Sequence, residues 1–246
     1  MADSSVRYDS AYYAEIASTA RPSAEVIAPI LFERFNPGSV LDVGCGSGYF
    51  LDAFRRLGVR ETVGVDAPFG DAEAVRGHGH EFVPVDLQGE RLEFERRFDL
   101  VLCLEVAEHL APERGPRLVE DLVRHGEVIA FSAAIPHQSG HGHINEQLQS
   151  YWASQFAQHG YHPHDLVRLR VWNDPRVDWW YAQNLLVYMA DPNPDPVPLD
   201  LVHYRLNPHV MPARQWEPTA REAAGALVRI VGRRLGIGRR YPHRHP

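Results

Sequence analysis

Apolar and polar positions along the middle of the chain follow two alternating rhythms. Short runs rich in β-branched residues, Ser39 to Val43, Glu61 to Val65, Phe82 to Val85, Leu100 to Leu104 and Glu127 to Phe131, predict five strands. Stretches with helical spacing lie among them, at Phe50 to Leu57, Arg117 to His125 and Gln147 to His159. Repetition of strand and helix predicts an α/β fold with a parallel sheet covered on both faces. Leu166 to Val171 and Gln183 to Tyr188 are expected to close the sheet as a pair of strands. Ahead of the sheet, Ile16, Val26, Ile27, Ile30 and Leu31 keep helical spacing from Tyr8 to Phe35. Arg21-Pro22 interrupts that stretch and Asn36-Pro37-Gly38 ends it, which predicts two short helices. Pro192, Pro194, Pro196 and Pro198 occupy every second position, where neither helix nor central strand persists. The expected organisation is a helical segment 1–37, a single core domain 38–190, and a proline-rich linker with a tail 191–246.

Composition narrows the class. A chain of 246 residues, 44% hydrophobic and 23% charged, suits one well-buried soluble domain. No apolar run approaches the ~18 residues of a membrane span. The start, Met1-Ala2-Asp3-Ser4-Ser5, lacks the pattern of a secretory signal, so a cytoplasmic location is expected. Cys45 and Cys103 are the two cysteines and fit a reducing compartment. All 25 basic residues are arginine, which excludes catalytic lysine chemistry. The net charge of −7 argues against general nucleic-acid binding. Arg221 to Pro246 departs from this balance, with seven arginines against one acid. Ala223 to Leu235 can be written as a basic amphipathic helix, suited either to an acidic membrane or partner surface or to a solvated terminus.

The run Val40-Leu41-Asp42-Val43, then Gly44-Cys45-Gly46-Ser47-Gly48, then Tyr49 to Phe54, reads as strand, glycine turn and helix start. Such a turn lets the backbone approach a ligand closely. A dinucleotide fingerprint requires a third glycine where Tyr49 stands, which weakens the alternative of a nicotinamide-dependent oxidoreductase. Asp42, just before the glycines, suits a ligand carrying an ammonium group better than one carrying phosphates. Asp66 ends the second strand 22 residues after Gly44, where its carboxylate can accept ribose hydroxyls. Asp86, followed by Leu87, ends the third strand where an adenine amino group can be held.

These segments, with Phe98-Asp99-Leu100-Val101-Leu102-Cys103-Leu104-Glu105-Val106-Ala107-Glu108-His109-Leu110, resemble class I S-adenosylmethionine-dependent methyltransferases, and the last run resembles the ubiquinone-pathway-like O-methyltransferase branch. The resemblance covers about residues 8 to 190. It implies a Rossmann-like doubly wound sheet of seven strands, mostly parallel, with a C-terminal antiparallel hairpin. It also implies S-adenosylmethionine as cofactor, with Asp42, Gly44, Cys45 and Gly46 around the methionine part. Asp66 would hold the ribose, Asp86 and Leu87 the adenine, and Leu104 and Glu105 would border the cofactor. Tyr8, Tyr12 and Tyr13 resemble the aromatic lid of such enzymes, or serve helix packing.

Methyl transfer to a hydroxyl needs a positioned nucleophile and a base. The loop Pro136 to Glu146 follows the fifth strand, at the edge that carries the glycine turn. His143 is the expected base and Glu146, three residues on, its orienting partner. His109 is a second candidate base, or a structural cap. His137, His141, His143 and Glu146 alternatively form a ligand set for a divalent metal. Trp172, Trp179, Trp180 and Tyr181 either wall an acceptor pocket or pack in the closing strand pair. Phe131 to Glu146 and the run Trp179-Trp180-Tyr181-Ala182-Gln183-Asn184 resemble bacterial methyltransferases of sugar and secondary-metabolite pathways. That resemblance implies O-methylation of a small hydroxylated or carboxylated acceptor, a sugar or secondary metabolite, rather than of protein, RNA or DNA. A non-catalytic scaffold of the same fold is the remaining alternative.

Overall fold

The computed structural model describes residues 10–68, 71–138, 140–191, 194–203 and 205–206, with only the backbone of residues 10–18. Tyr8 and the basic tail of the sequence reading lie outside the described residues. Helix α1, Ser10–Phe35, is continuous through Pro22 and Pro29, so the expected break at Arg21-Pro22 does not occur. Beside Pro22 the Ser23 hydroxyl donates to the Thr19 carbonyl at 2.9 Å, and Ser23, Ala24, Ile27, Ala28 and Leu31 are buried. That burial stabilises the helix enough to override proline's missing amide.

Strand β1, Ser39–Val43, leads through the glycine turn into α2, Tyr49–Arg56, and β2 is Glu61–Asp66. Helix α3, Ala72–Gly77, is capped by the Asp71 carboxylate and followed by β3, Glu81–Pro84. Then come β4, Leu100–Leu104, helix α4, Gly115–His125, and β5, Val128–Ser132. Helix α5 is Gln149–Ala157, β6 is Tyr161–His164, and the short helices α6, Arg168–Val171, and α7, Trp179–Asn184, precede β7, Leu186–Ala190. The closing pair is therefore β6 with β7. The expected strand Leu166 to Val171 is largely α6: Val167 and Val171 are buried four apart, the spacing of a helix.

The seven strands lie in the order β3-β2-β1-β4-β5-β7-β6. Strands β1 to β5 run parallel, and β7 is antiparallel to both β5 and β6. Alternation along β4 shows why both faces are covered. Leu100, Leu102 and Leu104 pack with α1 and α2, whereas Val101 and Cys103 pack with α4 and α5. Phe50, Leu51 and Phe54 anchor α2, each contributing about 1.5–3 kcal/mol. The packed chain continues beyond residue 190: Pro198 and Leu201 offer carbonyls to Arg168 and Gln149, and His203 and Leu206 are buried. Among the described residues no helix is long and apolar enough to cross a membrane.

Candidate active site

The strand order reverses direction between β1 and β4, and in such sheets ligands bind beyond the carboxyl ends of the strands at that point. Gly44 and Gly46 stand there with φ of +80° and +52°. A Cβ on Gly44 would lie 2.3 Å from Val106 Cγ2, so the turn and the chain after β4 pack backbone to side chain. A Cβ on Gly46 would meet nothing within 4 Å, so its backbone borders open space. The Cys45 side chain packs inward against Gly64, leaving its backbone with the turn.

Asp42 is buried, and among the described residues nothing hydrogen-bonds to its carboxyl group. Burial, with the Asp66 charge adding to it, pushes its pKa up to about 8. A cationic ligand group would supply the missing partner. Asp66 is raised as well, chiefly by burial, while the amides of Gly46 and Ala67, each 2.7 Å from one of its oxygens, oppose the shift. Asp86 lies two residues beyond β3, exposed, with one oxygen accepting the Gln88 amide at 3.0 Å. Leu87 and Leu104 are buried, Leu87 with its carbonyl on Arg114 Nε at 2.5 Å.

Glu105 follows β4 with φ +55°, a left-handed conformation that a non-glycine residue holds only when its surroundings enforce it. Its amide is held by the Ser132 carbonyl at 2.9 Å. Its carboxylate accepts Gln138 Nε2 at 3.0 Å and Asn184 Nδ2 at 3.2 Å. Gln183 Nε2 extends this buried amide network to Gln138 Oε1 and Asn184 Oδ1. The sequence reading missed Gln138, Gln183 and Asn184. Gln183 and Asn184 give a faint signal as two amides in the otherwise apolar run Trp179 to Val187, whereas Gln138 lies in a polar loop and gives none.

Glu108 is wholly buried in a short 3₁₀ turn, Ala107–His109. Neither of its carboxyl oxygens makes a hydrogen bond of normal geometry, although the Glu105 carboxyl and the Ala134 amide act on it. Burial, followed by the neighbouring Glu105, raises its pKa. The loop after β5 is fastened to this turn. The amides of Ile144 and Asn145 donate to the Glu108 carbonyl at 2.9 and 3.0 Å, and Asn145 Nδ2 donates to the Ala107 carbonyl.

That fastening brings His143 beside His109, with ring centroids 4.9 Å apart. His143 Nδ1 lies 3.0 Å from Glu146 Oε1, so the pair expected from the three-residue spacing forms. The other Glu146 oxygen accepts the His137 amide at 2.8 Å. Burial, followed by the His143 charge, lowers the His109 pKa to about 4. Of the four-residue metal set, only His143 joins a close group of potential ligands. Among the described residues its companions are Glu108 and His109, with ligand atoms within 4.8 Å of one another. His141 is exposed and Glu146 is committed to His143 and His137. Trp179, Trp180 and Tyr181 form α7 rather than a strand, and Tyr181 packs edge-on against Phe50 at 5.7 Å.

The family described as "Methyltransferase domain" matches residues 13–173, and the chain belongs to that family. Its sheet is that of the class I S-adenosylmethionine-dependent methyltransferases. One relative is the ubiquinone biosynthesis O-methyltransferase of Proteus mirabilis, 32% identical over 100 residues. That match covers 38% of this chain and 40% of that protein, so the chain spans less than half the length of this curated relative. The sugar N-methyltransferase KedS8 from Streptoalloteichus is similar in structure, with a TM-score of 0.57 at 17% identity, covering 77% of this chain and 97% of that one. The plantazolicin methyltransferase BpumL, solved with S-adenosylhomocysteine, gives a TM-score of 0.51 at 16% identity, covering 73% and 86%. The family match sets aside the oxidoreductase alternative.

Proposed function

We propose that this chain binds S-adenosylmethionine at the Asp42 to Gly48 turn and methylates a hydroxyl of a small molecule, a sugar or secondary metabolite. The observation that carries the reading is the His143–Glu146 pair, fastened through the Glu108 carbonyl to the end of β4, on the strand edge that bears the glycine turn. The names of the curated relatives favour oxygen as the methylated atom.

When bound, S-adenosylmethionine would supply a sulfonium methyl group that passes to an in-line nucleophile as the C–S bond breaks and S-adenosylhomocysteine leaves. Asp42 holds the ammonium of its methionine part, Gly44, Cys45 and Gly46 let it approach the backbone, and Asp66 accepts the ribose hydroxyls. Asp86 and Leu87 flank the adenine, and Leu104 and Glu105 border the cofactor. His143 Nε2 takes the acceptor hydroxyl proton, while Glu146 on Nδ1 fixes the tautomer and stabilises the imidazolium that forms. His109, neutral at pH 7, packs against that ring and limits its rotation. Glu108, His109 and His143 are the residues that would hold a divalent ion if the reaction requires one.

The test is calorimetric titration with S-adenosylhomocysteine, followed by a turnover screen pairing hydroxyl with amino acceptors. Cofactor binding with turnover only of hydroxyl compounds supports the reading. Binding with turnover only of amines removes the oxygen assignment. Binding without any turnover favours the scaffold alternative, and no binding overturns the site.

A further inference from the structure

A second group of potential ligands lies apart from the residues assigned to methyl transfer. Asp52, in the first turn of α2, stands between two imidazoles of the turn that joins α3 to β3. His80 Nε2 is 2.9 Å from Asp52 Oδ1, and His78 Nδ1 is 2.9 Å from Asp52 Oδ2. One donor atom from each residue lies within 4.8 Å of the others. We propose that Asp52, His78 and His80 bind a divalent transition ion of the zinc class.

Three features favour an ion over a purely structural trio. Two imidazoles with one carboxylate form a mixed nitrogen and oxygen donor set, which suits zinc, cobalt or nickel and disfavours magnesium and calcium. The far side of the His80 ring is already fixed, with Nδ1 2.8 Å from Thr62 Oγ1. Thr62 is held in turn by Arg55, which donates to Oγ1 at 3.0 Å and to the Gly79 carbonyl at 2.7 Å. An outer hydrogen bond of this kind orients a ligating histidine and presents its other nitrogen. Thirdly, the His80 side chain is fully buried, whereas His78 is 39% exposed. The site is therefore anchored on one side and open to an entering ion and its waters on the other. Ligation would place each donor about 2.0–2.2 Å from the ion, in exchange for the direct imidazole–carboxylate contacts.

Such an ion would cross-link two elements contiguous with the glycine turn. Asp52 follows that turn in α2, and Ser47 within it donates to Asp71, the cap of α3, at 2.8 Å. His78 and His80 close the other end of α3. The ion is thus a brace beneath the turn, and it makes thermal stability depend on the concentration of free metal.

The full chain, freed of any affinity tag and stripped with a chelator, is titrated with cobalt(II) while visible ligand-field absorption is recorded. His78→Ala removes an exposed side chain, Asp52→Asn preserves shape, and His143→Ala serves as control for the other potential ligand group. Wild type is expected to develop the band and to lose it to zinc. His78→Ala and Asp52→Asn should weaken binding by at least the roughly tenfold to hundredfold that loss of an outer-shell partner costs, while His143→Ala retains it. The proposal is overturned if no band forms up to millimolar cobalt, or if His78→Ala and Asp52→Asn bind as wild type does. Binding lost in His143→Ala but kept in His78→Ala would equally overturn it.

Discussion

The Gly46 amide donates to Asp66 Oδ2 at 2.7 Å, joining the glycine turn to the end of β2 across 20 residues of sequence. The Ala67 amide occupies the other oxygen at 2.7 Å, so the carboxylate is oriented from two sides before any ligand arrives. Replacing Asp66 with alanine removes both the orienting contacts and the acceptor proposed for the ribose. Charged hydrogen bonds contribute about 1.5–3 kcal/mol, so affinity for S-adenosylhomocysteine should fall by about tenfold to a hundredfold in Asp66→Ala. Asp66→Asn keeps one acceptor oxygen and should fall between. Unchanged calorimetric affinity in both variants would sink the assignment.

Gly44→Ala should destabilise the fold itself. The new Cβ would lie 2.3 Å from Val106 Cγ2, and a φ of +80° penalises any side chain. Left-handed backbone and overpacking together cost about 2–5 kcal/mol. Adding Val106→Ala relieves the steric part and leaves the backbone part. The double variant should therefore recover some, but not all, of the urea midpoint, and complete recovery would mean the backbone conformation carries no cost.

Asn184→Leu tests the amide network. It takes one donor from the Glu105 carboxylate and leaves Gln138 Oε1 and Gln183 Nε2 with one partner fewer. Buried polar groups that lose a partner cost about 1–3 kcal/mol. Urea denaturation should register that loss, and a neutral result would mean that the network closes around the missing amide.

The glycine turn was legible in sequence because its chemistry is local: a strand, three glycines and a helix start within a dozen residues. The acid at the end of β2 was legible by spacing. The His143–Glu146 contact forms without the helical turn that the spacing suggested: residues 143–146 are irregular, held by the Ile144 and Asn145 amides on the Glu108 carbonyl. Other features depend on distant packing. Arg21-Pro22 reads as a helix end, yet the burial of Ile27, Ala28 and Leu31 carries α1 through it. Leu166 to Val171 is apolar and β-branched enough for a strand, and only the competing edge Tyr161–His164 reveals that it turns into helix. Glu108 stood in the run Phe98 to Leu110 with no role of its own legible in the sequence. Its complete burial beside Glu105 follows from the loop 134–147 folding over it, which no local pattern specifies.

His143→Ala is expected to lower kcat by about 10²–10⁴ while leaving S-adenosylhomocysteine affinity within about twofold, because general-base catalysis acts in the transition state alone. Glu146→Gln retains a hydrogen-bonding side chain but removes the charge that stabilises the imidazolium. Its kcat should fall as well, by less than in His143→Ala, with S-adenosylhomocysteine affinity again retained. Full activity in His143→Ala would remove it as the base. An unchanged kcat in Glu146→Gln would reduce Glu146 to packing.

Asp42 makes cofactor affinity depend on pH, and the sign follows from its burial. Its pKa of about 8 in the folded protein exceeds the ordinary 3.8, so between these values the folded chain holds a proton that the unfolded chain has released. Stability of the ligand-free protein should therefore decline as pH rises through that window and level off above about 8. An ammonium group at the site reverses the balance by favouring the carboxylate, so ligand binding expels the proton. Affinity for S-adenosylhomocysteine should accordingly strengthen from pH 6 towards pH 8, with calorimetric heats that vary with the ionisation enthalpy of the buffer. Asp66, raised in the same direction, adds to the slope, so the decisive comparison is Asp42→Asn. That variant should bind more weakly at pH 8 and show a flatter dependence below it. A slope identical to wild type would mean that Asp42 does not face the ammonium group.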